Sequence, residues 1–438
     1  MKDLVILVYP KIHYKDNYPF TWVPYSILSL SKAIKNEKKD VEVVNYDCNV
    51  ESNEKLIKLI ENEQDRIVFI GFSIMTGGGQ IEEALSICAN VKKINKNIVL
   101  CFGGAHVNVL PEETLKNNLI DDVLQGPGQQ SIPRYIDYLL EKIDAFEVPG
   151  LYSKRNNKIL RGSENILTVN AMMGYDFEDI DLSYYIKNDE TISSKVINYI
   201  GSQGCVYNCA FCYESSYKRK YCSICEEQVK KDISYFFKIY NINGVKFSDA
   251  DFFTNIERAK KIIKFLSLYN LKWAASAHPN DIKRDKSILE YIASSGCTRI
   301  LMGIESGNDN VLNKIVHKNV TVSEIWDIAK SIADYGILGS YTFVVGFPGE
   351  TFTQQLDTFR LIEKLWTLSP RPETKVHLYL PYPGTPLYED ACNRGFCPPQ
   401  KLEEWSDVSY YETLMPWVEP KILDYVKEYT DLWFKKKR

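Results

Sequence analysis

Short runs of β-branched and other apolar residues alternate with amphipathic stretches in the first third of the chain, and this alternation constrains the fold more than any other feature. An apolar run followed by a helical pattern is typical of a βα unit, and a series of such units predicts a parallel sheet with helices on both faces. The predicted strands are residues 4–9, 41–46, 67–72, 98–102 and 123–124. Residues 1–140 are therefore predicted to form an α/β domain with a doubly wound parallel sheet.

A second series of βα units begins after residue 190. Its predicted strands are residues 196–200, 245–247, 273–276, 299–303, 341–345 and 375–380. Six parallel strands with outer helices indicate an open, partial (β/α)6 barrel over residues 191–387, with its active site at the carboxyl ends of the strands. Residues 141–190 show little periodicity and are predicted to be a linker. Residues 388–438 are predicted to form a small helical C-terminal cap.

Composition limits the classes of partner. The 438 residues carry a net charge of −4 and no basic block except the last four residues, so nothing indicates a nucleic-acid surface. The apolar run at the N-terminus is too short for a signal peptide or a membrane helix. We therefore expect a cytoplasmic protein that binds neither nucleic acid nor membrane. Eleven cysteines in a reducing compartment do not indicate disulfides, but a tight cluster among them indicates a metal.

Glycine-rich turns follow three neighbouring strands of the first predicted sheet. Glycine lets the backbone approach a ligand closely, and the N–H groups of such a loop can bind an anion. Three turns of this kind at one edge predict a ligand site at the carboxyl ends of the strands. The candidate contacts are Ser73, Met75, Thr76, Gly77, Gly78, Gln80, Gly103, Gly104, His106, Gly126, Gly128 and Gln130.

Three cysteines follow the first strand of the predicted barrel, with the spacing Cys-x3-Cys-x2-Cys: Cys205, Cys209 and Cys212. Thiolates are the ligands of iron–sulfur clusters. A closed zinc site requires four ligands, commonly in Cys-x2-Cys pairs. Three thiolates on a four-iron cluster leave one iron open, which suits a catalytic role. A zinc site that takes a distant fourth ligand is the alternative.

This cysteine motif resembles that of the radical S-adenosylmethionine (SAM) enzymes. Residues 303–307, 346–351 and 381–386 resemble the GIESG, GFPGET and PYPGTP segments of that family. Together with the glycine-rich turns, they make the chain similar to the cobalamin-dependent branch, the class B radical SAM methyltransferases. The resemblance reaches about residue 390. It implies a Rossmann- or flavodoxin-like cobalamin domain at 1–140 and a radical SAM domain at 191–387.

The resemblance implies three cofactors: a [4Fe-4S] cluster, SAM and cobalamin. The open iron of the cluster would bind the amino and carboxylate groups of SAM, and Glu305 would bind its ribose. Ser248 and Asp249 stand where the family has a loop that orients the methionine amine. His278 follows a barrel strand, as a pocket residue or as a plain strand-end residue. The implied SAM contacts are Phe211, Ser248, Asp249, Ser276, Glu305, Ser306 and Gly346.

Histidine is not expected to bind the lower face of cobalamin. Many cobalamin domains carry an Asp-x-His-x2-Gly loop whose histidine binds cobalt and is oriented by the aspartate. Only His13 and His106 lie in the N-terminal domain, and neither stands in that pattern. The loop of residues 73–79 is expected to cover this face instead.

The remaining cysteines divide into two groups. Cys222 and Cys225 form a Cys-x2-Cys pair that could bind a second cluster or form a redox pair, although ordinary loop residues before a helix are favoured. Cys392 and Cys397 could complete such a site. The others fall in strand or helix patterns and are predicted to be core residues: Cys48, Cys88, Cys101 and Cys297.

The resemblance implies an enzyme that methylates an unactivated carbon or phosphorus centre of a small molecule or peptide, using methylcobalamin and a 5′-deoxyadenosyl radical. It would work as a monomer and take electrons from an external donor such as flavodoxin or ferredoxin. A cobalamin-dependent radical cyclase or rearrangement enzyme is the first alternative. A methylthiotransferase is less favoured, because its second cysteine triad and C-terminal β-barrel are not predicted here. A non-catalytic cobalamin sensor or carrier would leave the cysteine loop without a role.

Overall fold

The computed structural model describes residues 2–12, 22–155, 158–164, 172–216, 221–408 and 413–435. The chain divides into two compact units. The first unit comprises Met1–Tyr185 together with Pro399–Val408, and the second comprises Ile186–Pro398 together with Ser409–Arg438.

The first unit is built on a seven-stranded sheet. Its strands are β1 (Asp3–Tyr9), β2 (Val41–Asp47), β3 (Ile67–Ser73), β4 (Val99–Gly103), β5 (Asp122–Leu124), β6 (Leu151–Arg155) and β7 (Lys158–Arg161). Strands β1 to β5 are parallel and lie in the order β2-β1-β3-β4-β5. The order reverses between β1 and β3, so the crevice beyond their carboxyl ends is the expected ligand position.

Helices cover both faces of this sheet. They are α1 (Tyr25–Glu37), α2 (Asn53–Glu63), α3 (Gln80–Ile94), α4 (Ala105–Val109), α5 (Pro111–Leu115) and α6 (Gly128–Leu139), with short 3-10 helices at Ala145–Glu147 and Leu182–Tyr185. Successive side chains of β1 point to opposite faces. Ile6 belongs to the core that contains Leu56 of α2 and Ile81 of α3, whereas Val5 belongs to the core that contains Ile27 of α1. The predicted doubly wound sheet is confirmed.

Residues 141–190 differ from the predicted linker. Strand β6 pairs antiparallel with β5, and β7 pairs antiparallel with β6, so the chain through Tyr185 belongs to the first unit. Leu151 is buried in the core against α1 and α6. All four residues of β7 are exposed. A short edge strand without a buried face carries no alternating apolar pattern, which is why the sequence did not indicate it.

The second unit contains an open seven-stranded sheet and a separate two-stranded ribbon. Its strands are β8 (Lys187–Asp189), β9 (Ser193–Tyr199), β10 (Ser202–Gln203), β11 (Cys222–Ser223), β12 (Gly244–Phe247), β13 (Lys272–Ser276), β14 (Cys297–Glu305), β15 (Leu338–Val345) and β16 (Glu373–Leu378). The sheet order is β16-β15-β14-β13-β12-β9-β8, and all pairs except β8 with β9 are parallel. The predicted partial barrel of six parallel strands is confirmed.

Helices connect the strands of the second unit. They are α7 (Tyr213–Ser216), α8 (Glu226–Tyr240), α9 (Ile256–Leu268), α10 (Pro279–Arg284), α11 (Ile288–Ser294), α12 (Val322–Asp334), α13 (Phe352–Leu365), α14 (Tyr388–Asn393) and α15 (Lys421–Lys435), with a π-helix at Val311–Ile315. Thr321 and Thr351 begin α12 and α13 with capping boxes, in which each side chain accepts a backbone N–H of the first turn.

The C-terminal region is shared between the two units. The helices α14 and α15 agree with the predicted helical cap, but Pro399–Val408, which includes a 3-10 helix at Glu403–Asp407, belongs to the first unit. Among the residues that the structure describes, no helix has the length and apolar character needed to cross a lipid bilayer.

Candidate functional site

The cysteine loop follows β9 and β10 at the carboxyl edge of the barrel sheet. Ala210 lies inside the loop and is fully buried. Its N–H donates to the carbonyl of Val316 at 2.9 Å, and its carbonyl accepts from the N–H of Leu387 at 3.2 Å. The N–H of Cys212 donates to the carbonyl of Cys209 at 3.0 Å. Backbone from two distant parts of the unit therefore fixes this loop.

The environment of the three thiols is unfavourable for isolated negative charge. Burial raises the pKa of Cys205 to about 11 and that of Cys212 to about 12, and it also raises the pKa of Cys209. The charges of the neighbouring thiolates add to the shifts at Cys205 and Cys212. Three thiolates can therefore persist here only beside a strongly positive partner, as the irons of a cluster are.

The number of ligands bears on the metal. Within the described residues, no group of three or more His, Cys, Asp or Glu is gathered closely enough to hold one metal ion. Three thiolates in one loop are one ligand short of a closed zinc site, and this count favours a cluster.

Glu305 and Lys318 form a buried ion pair beside the cysteine loop. Glu305 ends β14, and the Nζ atom of Lys318 donates to its Oε1 at 2.9 Å, with less than a tenth of either side chain exposed. Burial alone would lower the pKa of Lys318, but Glu305 and the thiolates of Cys209 and Cys212 outweigh burial and raise it. A buried cation here suits an anionic group of a ligand.

Sequence reasoning did not find Lys318, because a loop lysine carries no local signal of burial. The ribose contact that it assigned to Glu305 stays a prediction, and the structure adds the lysine as a partner. The ion pair fits beside β14 because residue 303 is a glycine. An added Cβ at this position would lie 2.3 Å from Oε1 of Glu305 and 3.3 Å from Nζ of Lys318.

Tyr207, which stands inside the cysteine motif, joins a second polar cluster. Its ring stacks on His278 at 3.6 Å, and its hydroxyl donates to Oδ1 of Asp281 at 2.8 Å. Asp251 follows β12, and burial together with the charge of Asp281 raises its pKa to about 7. The charge of Asp251 also raises the pKa of Cys205. Sequence reasoning quoted Asp251 and His278 but did not find Asp281, whose closeness to Asp251 depends on the fold.

Asp249 accepts hydrogen bonds from other residues of the second unit. It is 2% exposed, the hydroxyl of Ser202 donates to one oxygen, and the N–H of Gly201 donates to the other at 3.3 Å. Burial raises its pKa, although Ser202 and the charge of Arg258 act in the opposite direction. Ser248, by contrast, is exposed. The predicted role of both residues toward SAM stays a prediction.

The turn after β15 contains Gly346 in a left-handed conformation, with φ +89°. Its carbonyl accepts from the indole N–H of Trp417 at 3.1 Å. Glu350 closes the turn by accepting the N–H groups of Gly346 and Phe347, and burial raises its pKa to about 8. The ring of Phe347 contacts that of Phe211 from the cysteine loop, with centroids 5.4 Å apart. The structure thus brings together two of the predicted SAM contacts.

Ser276 and Ser306 lie at the ends of neighbouring strands. The carbonyl of Ser276 accepts from the N–H of Phe252 at 3.1 Å, which links the turns after β12 and β13. Ser306 is fully buried, and its hydroxyl lies 3.3 Å from that of Thr358 in α13. Its contacts hold α13 in place, and its predicted contact with SAM stays a prediction.

In the first unit, Gln80 spans the crevice where the strand order reverses. Its Nε2 donates to the carbonyl of Pro10 after β1 at 3.0 Å, and its Oε1 accepts from the N–H of Met75 after β3 at 3.2 Å. Residues 77–79 are three glycines with φ between +67° and +78°. Only glycine adopts such a run without strain, so the sequence shapes this turn.

Hydrogen bonds tie the three glycine-rich turns together. The N–H of Ile74 donates to the carbonyl of Gly103 at 2.9 Å, and the N–H of His106 donates to the carbonyl of Ile74 at 3.3 Å. The N–H of Gly126 donates to Oδ1 of Asn108 at 2.8 Å. The predicted site residues after β3, β4 and β5 therefore lie on one continuous edge, with Asn108 as a linking residue that the sequence did not single out.

Two predicted contacts, Gly128 and Gln130, lie in a helix. Gly128 begins α6, and an added Cβ would lie 2.7 Å from Cδ2 of Leu30, so close helix packing explains this glycine. Gln130 is exposed in the same helix. Ser73, the last residue of β3, and Gly78 are half-buried at the glycine-rich edge. Their contacts with a ligand stay predictions.

His106 is held by Thr76. The two side chains are buried, and Nδ1 of His106 lies 2.9 Å from the hydroxyl of Thr76. Burial lowers the pKa of His106 to about 4, so the ring is neutral at pH 7. His13 lies outside the described residues. The expectation that neither histidine binds cobalt stays a prediction.

Gly104 offers a test of this edge, with the adjacent Gly103 as its control. An added Cβ at Gly104 would lie 2.5 Å from the carbonyl oxygen of Ile74, and its φ is +98°. An added Cβ at Gly103 would lie 3.6 Å from the nearest atom. We expect Gly104→Ala to lower the free energy of unfolding by about 1–3 kcal/mol and to weaken ligand binding at this edge. Gly103→Ala should leave the free energy of unfolding unchanged in the same thermal assay, and equal losses of stability in the two variants would contradict this account.

Cysteines outside the loop occupy ordinary positions. Cys48, Cys88, Cys101 and Cys297 are buried, which confirms that they are core residues. Cys222 lies in β11 and pairs with Gln203 of β10, whereas Cys225 is exposed and directly precedes α8.

Two family models match the chain. The radical SAM superfamily matches residues 199–362, and the B12 binding domain matches residues 14–136. The first range contains the cysteine loop and the buried ion pair, and the second contains the glycine-rich edge. The chain is a cobalamin-dependent radical SAM enzyme.

Other proteins resemble this enzyme along most of its length. An uncharacterized methyltransferase of Pyrococcus horikoshii is 26% identical over 403 residues, which cover 89% of this chain and 83% of that protein. The anaerobic magnesium-protoporphyrin IX monomethyl ester cyclase of Cereibacter sphaeroides is 25% identical, over 96% of this chain and 67% of the cyclase. The radical SAM methyltransferase TsrM of Kitasatospora setae shares the fold, with a TM-score of 0.72 and 18% identity, over 91% of this chain and 78% of TsrM.

The residues of this enzyme fit the groups that its family binds. Three thiols in a fixed loop, with raised pKa values that call for a positive partner, suit a cluster with one open iron. At the edge of the first sheet, Nε2 of the buried His106 has no hydrogen-bond partner within the described residues. An unpartnered buried nitrogen of this kind is costly unless a ligand satisfies it.

Proposed function

We propose that this enzyme methylates an unactivated carbon or phosphorus centre of a small molecule or peptide. The proposal depends on one observation: the same chain contains a three-thiol loop at a barrel edge and a B12 binding domain. Similarity to a methyltransferase over 89% of the chain supports it. In this chemistry the cluster with SAM supplies a 5′-deoxyadenosyl radical and cobalamin carries the methyl group.

The side chains of the enzyme have distinct tasks in this proposal. Cys205, Cys209 and Cys212 hold the cluster and leave one position open for SAM. Lys318 places a buried positive charge beside that position, where it attracts the carboxylate of SAM, and Glu305 orients the lysine and accepts hydrogen bonds from the ribose. Burial of these groups excludes water, which strengthens the electrostatic interactions among them.

The proposal extends to the partners of the enzyme. An external donor such as flavodoxin or ferredoxin supplies the electron, and the enzyme works as a monomer in the cytoplasm. The absence of basic blocks before the C-terminal tip agrees with a substrate that is not a nucleic acid. The 11 free cysteines agree with a reducing compartment.

A radical cyclase is the second candidate, because the cyclase of Cereibacter sphaeroides is 25% identical over 96% of this chain. A methylthiotransferase is disfavoured by this chain itself. The described C-terminal residues contain helices rather than strands, and Cys48, Cys88 and Cys101 are buried in the first unit.

Products distinguish methylation from cyclisation. Reconstituted enzyme should be incubated without oxygen with reductant, cobalamin, SAM labelled in its methyl group, and a small-molecule extract of cells that lack the protein. We expect one metabolite to gain the labelled methyl group, and S-adenosylhomocysteine to form together with 5′-deoxyadenosine. A Cys212→Ala control should give none of these products. A consumed metabolite whose product carries no label, with 5′-deoxyadenosine alone, would instead identify a cyclase or rearrangement enzyme.

A further inference from the structure

The segment Pro399–Val408 belongs to the first unit, although about 260 residues separate it from the end of the matched B12 binding domain at residue 136. Trp405 is 2% exposed and lies in the same core as Phe72 of β3 and Ile81 of α3. The segment is therefore an integral part of this unit and not a surface tail.

Its contacts concentrate on the turn after β3. The N–H of Gly77 donates to the carbonyl of Trp405 at 3.1 Å, and an added Cβ at Gly77 would lie 2.7 Å from the carbonyl oxygen of Val408. The hydroxyl of Ser406 accepts from the N–H of Glu82 in the first turn of α3, at 3.1 Å. The segment thus holds both the glycine turn and the start of the helix that follows it.

Trp405 also packs on the histidine of the neighbouring turn. Its ring lies edge to face with that of His106, with centroids 5.6 Å apart. Nδ1 of His106 is engaged by Thr76, and no described residue hydrogen-bonds its Nε2. Because the indole and Thr76 together fix the ring, Nε2 has one defined position, and an atom fixed in this way is suited to a polar group of a ligand.

We infer that Trp405 is a positioning residue of the cobalamin site: it fixes the ring of His106 and the turn at Gly77, so the segment Pro399–Val408 completes the cobalamin-binding domain. The inference rests on the assignment of the glycine-rich edge as the cobalamin site. The ligand group that Nε2 takes is a hydrogen-bonding one, such as a side-chain amide or the phosphate of the cobalamin tail.

The test is a titration of the full-length protein with cobalamin. Binding is measured from the absorption spectrum of the bound cofactor and by equilibrium filtration. Trp405→Leu keeps an apolar side chain but removes the ring, and we expect it to weaken cobalamin binding by about tenfold or more. Trp405→Phe restores a ring and should recover most of the affinity. Leu402→Ala is the matched control, because Leu402 lies in the same segment and core. It also truncates a buried side chain, so its free energy of unfolding should fall, but its loss of cobalamin affinity should be clearly smaller than that of Trp405→Leu, because Leu402 has no ring to fix His106.

A double variant tests whether Trp405 acts through His106. If it does, adding Trp405→Leu to His106→Ala should cause little further loss of cobalamin affinity, since the ring contact is already gone and the hydrogen bond from Gly77 goes to the backbone carbonyl of residue 405. Three results would overturn the inference. The losses of cobalamin affinity from Trp405→Leu and His106→Ala could multiply in the double variant, Trp405→Leu could keep the wild-type affinity, or Leu402→Ala could lose as much affinity as Trp405→Leu. A wild-type protein that binds no cobalamin would remove the proposed methylation as well. Formation of 5′-deoxyadenosine by each variant reports separately that the second unit is intact.

Discussion

Replacing Cys212 by Ala is expected to abolish the cleavage of SAM. The cluster needs three thiolates to leave a single open iron, and alanine has no side-chain atom that could bind the iron in place of the lost thiolate. The wild type should bind about four irons per chain after anaerobic reconstitution, as one such cluster requires. Iron, sulfide and 5′-deoxyadenosine should be measured on the same samples.

Cys225→Ala is the control for this prediction. Cys225 is exposed before α8, and its loss should leave the iron content and the cleavage of SAM unchanged. A triple variant replaces Cys205, Cys209 and Cys212 by Ala. If it still holds the full iron and sulfide content, these cysteines are not the cluster ligands. About eight irons in the wild type would show that Cys222 and Cys225 hold a second cluster.

Glu305→Gln is expected to have the second largest effect. It leaves the ammonium group of Lys318 buried without its carboxylate, and removal of one partner from a buried pair costs about 3–5 kcal/mol of stability. The affinity for SAM should also fall, by about 1.5–3 kcal/mol, if Glu305 accepts a ribose hydroxyl. Thermal unfolding of the reconstituted protein and a SAM titration measure the two effects separately. Unchanged SAM affinity would show that Glu305 does not touch the ribose.

The double variant Glu305→Gln with Lys318→Met is the matched control, because it removes both charges. It should be more stable than Glu305→Gln alone, since no unpaired charge is left buried.

The ion pair of Glu305 and Lys318 also makes the stability of the protein depend on pH. It raises the pKa of Lys318 in the folded protein. Its contribution is therefore complete below the usual lysine pKa of about 10.4 and is lost as the pH rises through the raised value.

Local patterns in the sequence determined the architecture and the cluster ligands. The apolar run of residues 4–8 is buried as a whole, and the helix that begins at Gln80 buries its apolar side chains at helical spacing. Both patterns are visible without any knowledge of contacts. The spacing of Cys205, Cys209 and Cys212 is equally local, because all three thiols come from one loop. The glycines at 77–79 and at 104 indicated the edge at which a ligand is expected, and the structure adds that all four have positive φ.

Only the tertiary structure decided which distant residues support these ligands. Lys318 becomes a partner of Glu305 because the chain after the π-helix returns to the end of β14, and Asp281 meets Asp251 because α10 follows the strand beside β12. Trp405 reaches His106 from 299 positions away in the chain. Burial and charge pairing between such residues arise from packing, which no short stretch of sequence encodes, whereas helix, strand and turn preferences act within a few residues.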